Sequence, residues 1–143
     1  MTKFIFFFVT ILSLLSSSIF ASENIKKRQD AMQTVRNSMK ILGPMAMGQK
    51  DFDSSLAKNT LKDFLIAIKP YKTYFPKVPS EEQKTDASLD IWSNKEDFNK
   101  LINNFVSTVE LASKNEWENT EQFKSDFMEI GSSCKSCHRK YRR

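Results

Sequence analysis

The stretch Ile25-Lys26-Lys27-Arg28-Gln29-Asp30-Ala31-Met32-Gln33-Thr34-Val35-Arg36-Asn37-Ser38-Met39-Lys40-Ile41-Leu42 decides the fold. Ile25, Met32 and Met39 recur every seven residues, with Arg28, Val35 and Leu42 offset between them. That spacing is the stripe of a helix that packs against other helices in a bundle. Gly43-Pro44 predicts its end.

Three further stretches carry the same period. One follows Asp53 or Ser54 as cap and predicts burial of Leu56, Leu61, Phe64, Leu65 and Ile68 before Pro70. Another, from about Ser93, predicts burial of Phe98, Leu101, Ile102, Phe105, Val109 and Ala112. The last, from about Trp117, predicts burial of Phe123, Phe127, Ile130 and Tyr141, with Gly131 inside it. Tyr71 to Asp90 reads as a long connection near Pro70, Pro76 and Pro79, and no strand pattern emerges. Four amphipathic helices joined mostly by short links predict an all-α fold, an antiparallel up-down-up-down four-helix bundle.

The 143 residues suit one domain. Ahead of it, Lys3, the apolar run Phe4 to Leu15, Ser16 to Ser18 and then Ala21 have the order of a cleavable export peptide. A retained membrane anchor competes, but a span needs about 20 apolar residues and the serines interrupt this run. The expected division is therefore an export segment at 1–21, a bundle domain at 22–143, and no membrane span after cleavage. Cleavage removes Lys3 and no acid, lowering the formal charge from +5 to +4. A nucleic-acid partner is not expected: exported proteins rarely meet one, and no stretch interleaves aromatic with basic residues.

Cys134-Lys135-Ser136-Cys137-His138 is a C-x-x-C-H sequence. Two thiols at this spacing add to the two haem vinyl groups while the adjacent imidazole reaches the iron. On a helix the three side chains share one face. A thioredoxin-like pair would need a βαβ context, a structural zinc site needs four ligands, and a disulfide leaves His138 unexplained. The motif thus predicts one covalent haem c, with Cys134 and Cys137 as thioether attachments and His138 as the proximal iron ligand.

His138 is the chain's single histidine, so a sixth ligand is Met, Lys, water or nothing. In an up-down-up-down bundle the last helix runs antiparallel to the first. Counting back from Arg143 sets Met32 ~4.5 Å and Met39 ~15 Å along the axis from the level of His138, which favours Met32. Its competing role is ordinary core filling. Arg28, one turn before Met32, is a candidate for a haem propionate, against an arginine that reaches out to solvent.

At Arg28-Gln29-Asp30-Ala31-Met32, Gly48 to Asp53, Ile91-Trp92 and Cys134 to Arg142, the chain resembles the class II c-type cytochromes, the cytochrome c′ family. The resemblance implies a four-helix bundle with haem near its carboxy-terminal end. In five-coordinate members an apolar side chain at the position of Met32 blocks the open iron face, where gases such as nitric oxide bind. Met32 departs from that pattern and looks like the low-spin members, in which this methionine ligates iron and the protein carries electrons. Arg142 matches a basic residue kept close to the haem; a cation favoured at a helix end is its other reading. Relatives often dimerise through their first two helices, which leaves a homodimer open.

The expected function is therefore an exported, periplasmic one-electron carrier serving redox partner proteins. The alternatives are a cytochrome c′-type protein binding nitric oxide or carbon monoxide, with Met32 displaced or loosely held, and a helical interaction module without haem. Lys135, Arg139, Lys140, Arg142 and Arg143 make the carboxy end basic, suited to steering an acidic partner or simply solvated. With no histidine to spare and scattered carboxylates, enzyme activity is not predicted.

Overall fold

A computed structural model describes the backbone of residues 2–77 and 85–143, with side chains from residue 23 onward. The export segment at 1–21 lies outside the described side chains, and Pro79 lies outside the described residues. The elements are α1 (Thr2–Ala46), α2 (Ser54–Ile68), a 3-10 helix (Tyr71–Tyr74), α3 (Asp90–Ser93), α4 (Lys95–Lys114) and α5 (Thr120–Tyr141). Among the described residues no helix is long and apolar enough to cross a membrane.

The ends follow local chemistry. α1 runs past Gly43-Pro44 because its last turn is held by Met47 N–H to Gly43 O at 2.9 Å and Gln49 N–H to Pro44 O at 2.8 Å. Gly48, at φ +68°, takes the left-handed conformation that stops it. Asp53 caps α2, its carboxylate accepting from Leu56 N–H at 2.9 Å, a contact typically worth ~1 kcal/mol. The third expected helix is split at Asn94, which leaves helical geometry between α3 and α4. α5 begins at Thr120 rather than Trp117, because Asn119 is the cap and accepts from Gln122 N–H at 3.1 Å.

α1 packs on α2, α2 on α4, α4 on α5 and α5 back on α1, closing the four-helix bundle. The buried stripe of α2 is Ala57, Leu61, Phe64, Leu65 and Ile68. Leu56, expected inside, is exposed because it sits one position off that stripe. Leu101 is only half-buried.

Two apolar clusters result. The larger joins Val35, Leu42, Leu61, Phe64, Phe105, Val109, Trp117, Phe123 and Phe127 along the bundle axis. The smaller joins Phe75, Ile91, Phe98, Ile102 and Tyr141, with Phe75 supplied by the long connection. That connection is not a plain loop. Its far part straps onto the chain end: Ser88 N–H donates to Tyr141 O at 2.9 Å, Arg143 N–H to Asp86 O at 2.8 Å, and Ala87 and Arg142 form an isolated bridge.

Candidate haem site

The register of α1 against α5 positions the site. Phe127 Cζ lies 3.6 Å from where a Cβ on Gly43 would stand, so α1 and α5 touch here and the two residues are within about one turn of each other in height. Met32 lies eleven residues before Gly43, and His138 eleven after Phe127. In antiparallel helices of equal rise that brings Met32 and His138 to within about one turn of each other in height.

Between those walls is a cavity of about 690 Å³, within the range of pockets that hold small organic cofactors. α1 lines it with Ile25, Arg28, Met32, Val35 and Met39, and α5 with Gly131, Cys134, Cys137, His138 and Tyr141, followed by Arg142 just past its end. The connection and α4 close the sides with Tyr71, Phe75, Asp86, Phe98 and Phe105. Six sequence-predicted residues, Cys134, Cys137, His138, Met32, Arg28 and Arg142, thus meet around one space. Among the described residues no cluster of three or more His, Cys, Asp or Glu side chains is arranged to hold a bare metal ion.

The α1 repeat now divides by role. Leu42 is core and Val35 is buried where the core meets the cavity, whereas Ile25, Met32 and Met39 are half-buried on the cavity wall. On α5, the i, i+3, i+4, i+7 spacing of Cys134, Cys137, His138 and Tyr141 turns all four inward. Gly131 stands one turn below Cys134, and a Cβ there would enter open space. Its missing side chain widens the cavity.

The two cysteines are free thiols, each pushed up to about 11 chiefly by burial, with the Asp97 charge adding to the shift at Cys137. They are neutral thiols at physiological pH. His138 is exposed at the mouth, and partial loss of water, followed by the nearby Arg142 charge, lowers its pKa. Its neutral form, the one that binds metals, is thereby favoured.

Arg28 is buried, 5% exposed, with its guanidinium carbon 4.5 Å from the centroid of the Phe75 ring. It does not reach out to solvent. A buried cation on an otherwise apolar wall suits a ligand carrying carboxylates. Tyr71 beside it is pushed up to about 12 by burial, against the opposing effect of Arg28. Arg142 is held differently: its Nε and Nη2 donate to Asp86 Oδ2 at 3.2 and 2.8 Å.

Sequence reasoning missed Asp86, Tyr71, Phe75 and Gly131 as parts of the site. Phe75 carried an aromatic signal next to Pro76, but a segment without helical period gives no hint of which wall it will cover.

An apolar, aromatic-walled cavity at one end of a four-helix bundle, with two thiols and an imidazole on one wall and a thioether opposite, fits a covalently attached haem. The cytochrome c′ family model matches residues 23–142, and the chain belongs to that family of haem c cytochromes. It is 27% identical to cytochrome c-556 of Rhodopseudomonas palustris, over 92% of this chain and 91% of that protein. It is 26% identical to cytochrome c′ of Rubrivivax gelatinosus, over 82% and 92%. Cytochrome c prime from Shewanella frigidimarina superposes with a TM-score of 0.76 at 25% identity, covering 86% of this chain and 96% of that one.

Proposed function

We propose that this chain is an exported one-electron carrier whose haem iron is held by His138 and Met32. The observation that supports the reading is that Met32 from α1 and His138 from α5 line the same cavity. Cys134 and Cys137 hold the cofactor covalently, each adding its sulfur and its proton across one vinyl group, with no leaving group. Bound haem supplies a one-electron iron couple. The chain's own residues tune that couple: the Met32 thioether favours the reduced state relative to harder ligands, and the buried aromatic wall keeps water away. Arg28 answers one propionate charge from inside the wall. Arg142, anchored by Asp86, is the second candidate for that role. In this reading the chain is a carrier, not an enzyme.

A second reading is gas binding with Met32 displaced. It draws on the similarity to proteins named cytochrome c′ and on Met32 being only half-buried. Optical spectra of the haem-loaded protein separate the two. The carrier gives low-spin spectra in both oxidation states that ignore carbon monoxide, and Met32→Ala becomes high-spin and binds it. High-spin wild-type iron that takes up carbon monoxide establishes the gas-binding reading instead.

A further inference from the structure

Lys95 opens α4 and is half-buried behind the cavity wall. Its ammonium stands over three rings, 5.3 Å from the centroid of Phe75, 5.4 Å from Phe98 and 6.0 Å from Trp92, and donates to Phe75 O at 3.2 Å. The rings pack on one another, Phe75 on Phe98 at 4.7 Å and on Trp92 at 5.9 Å, and the Trp92 indole donates to Pro76 O at 2.8 Å. Phe75 and Phe98 line the cavity. Phe75 also carries the Arg28 guanidinium, at 4.5 Å. Arg28 lines the cavity and Lys95 does not, so one ring is shared by a cation inside the site and a cation behind it.

This is a costly place for a positive charge. The first turn of a helix carries positive partial charge and favours anions. Loss of water, followed by the Arg28 charge, lowers the Lys95 pKa. No carboxylate offsets these effects. Lys140 is held by Asp97 at 2.8 Å and Arg142 by Asp86 at 2.8 Å, but among the described residues Lys95 has no acidic partner within ion-pair distance. The ring faces and one carbonyl hold it instead.

We propose that Lys95 helps set the reduction potential of the bound haem, acting as a fixed positive charge across the Phe75–Phe98 wall without touching the cofactor. An electron delivered by a redox partner lowers the charge inside the cavity by one, and this step makes or breaks no bond and takes up no proton. A nearby cation favours the added electron, and a ring-lined wall limits the screening that water would give. The inference deepens the one-electron reading by naming a residue that tunes the couple; it needs haem in the cavity but not the Met32 bond. A Lys95 that only pinned Phe75 and Pro76 in place would leave the couple unchanged.

Spectroelectrochemical titration of the haem-loaded wild type, Lys95→Gln, Lys95→Met and Lys95→Arg tests the proposal, at about 10 mM ionic strength and about pH 6, far below the ordinary lysine pKa of about 10.4. Gln keeps a donor for Phe75 O and Met keeps the stem, but both lose the charge. Each should shift the equilibrium with a mediator couple toward the oxidised protein by about fivefold, ~40 mV at 59 mV per tenfold for one electron. Lys95→Arg should stay within about twofold of wild type, as should Lys50→Gln, which removes the same charge at the opposite end of the bundle. Wild-type potentials in the neutral variants, or the same shift in Lys95→Arg as in them, overturn the proposal.

A measurement on the wild type needs no substitution. By linkage, Lys95 must bind its proton about fivefold more tightly in the reduced protein than in the oxidised one. The titratable groups around it hold their states over that range: Arg28 on α1 stays charged, Tyr71 is pushed up to about 12 by burial, Asp97 on α4 is held low by Lys140 and Tyr141, and Tyr141 on α5 is raised by burial and Asp97. Side-chain NMR titration of Lys95 in both oxidation states reads the difference, and equal pKa values overturn the proposal. The carrier reading fails on a separate signal, a high-spin, carbon-monoxide-binding wild-type spectrum.

Discussion

The two ends of the bundle use the same helical stripes for different purposes. At the end holding the α1–α2 and α4–α5 turns, side chains fill the space between helices. Phe52 stacks on Phe123 at 5.2 Å, Trp117 meets Phe123 edge-on at 5.1 Å, and the Trp117 indole donates to Asp126 at 2.7 Å. Phe127 lies against α1 beside Gly43, where a Cβ would stand at an ordinary contact distance of 3.6 Å from its ring. At the other end the stripes continue as Met32, Met39, Cys134 and Cys137, but they face a cavity of about 690 Å³ instead of one another. A stripe therefore reports which side of a helix is apolar; whether a side chain or a cofactor completes the packing depends on the residues around the space.

The largest expected effect removes the cofactor. Without haem the apolar wall of Met32, Phe75, Phe98 and Phe105 would face water through the open mouth, which removes burial that holds this end together. The double variant Cys134→Ser, Cys137→Ser should therefore lose ordered structure at the haem end. Amide exchange in α5 beyond Gly131 and in α1 before Met39 should rise by orders of magnitude, while the Trp117–Phe123 end stays protected. Equal loss of protection at both ends would show that the bundle is one cooperative unit and break the comparison.

A matched pair of truncations sharpens it. Phe123 and Phe98 are each 1% exposed and belong to the two different clusters. Either change to Ala should cost about 3–5 kcal/mol in urea unfolding of the haem-loaded protein. Only Phe98→Ala should alter the haem spectrum, because Phe98 lines the cavity and packs on Phe75 at 4.7 Å and Tyr141 at 5.3 Å. A spectral change from Phe123→Ala as well would mean that the packed end is mechanically coupled to the cavity.

What was legible in the sequence divides along the same line. The helices and their inward faces could be read because Val35, Leu42, Leu61, Phe64 and Phe105 repeat with the period of the structure they form. That Cys134, Cys137 and His138 would share one wall could be read because C-x-x-C-H is local and its spacing is helical. The split at Asn94 and the continuation of α1 through Pro44 were not legible, because both depend on hydrogen bonds that single residues make locally. The strap of residues 85–88 was hidden for another reason: its bonds go to Tyr141, Arg142 and Arg143, far along the chain. No periodicity encodes such a contact, and so Asp86 went unnoticed beside Arg142.

Acid should weaken the haem end through Asp97. Lys140 donates to its carboxylate at 2.8 Å and Tyr141 at 2.6 Å, and these bonds hold its pKa below the usual range. A carboxyl whose proton affinity falls on folding contributes stability above its unfolded pKa of about 4, and that contribution disappears as pH drops through the lower folded value. Thermal unfolding of the haem-loaded wild type and Asp97→Asn, followed from about pH 6 to about pH 2, should show a shallower acid limb in the variant. Parallel curves would mean that the Tyr141 and Lys140 contacts do not persist in solution.

The smallest effect is expected from Asp86→Asn, which tests how the haem end is closed. The Arg142–Asp86 pair has both Arg142 donors on one carboxylate oxygen, and the side chains are 53% and 68% exposed, so its contribution is about 0–1 kcal/mol and sensitive to salt. The backbone bonds of Ser88 to Tyr141 and of Arg143 to Asp86 survive the substitution. The strap should thus stay in place while its amides open more often. Exchange at Ser88 and Arg143 should quicken by up to about fivefold at low ionic strength, with the difference vanishing in about 1 M salt. If the variant instead loses protection throughout α5, the strap is held by the side-chain pair, and the haem end is closed by charge where the opposite end is closed by packing.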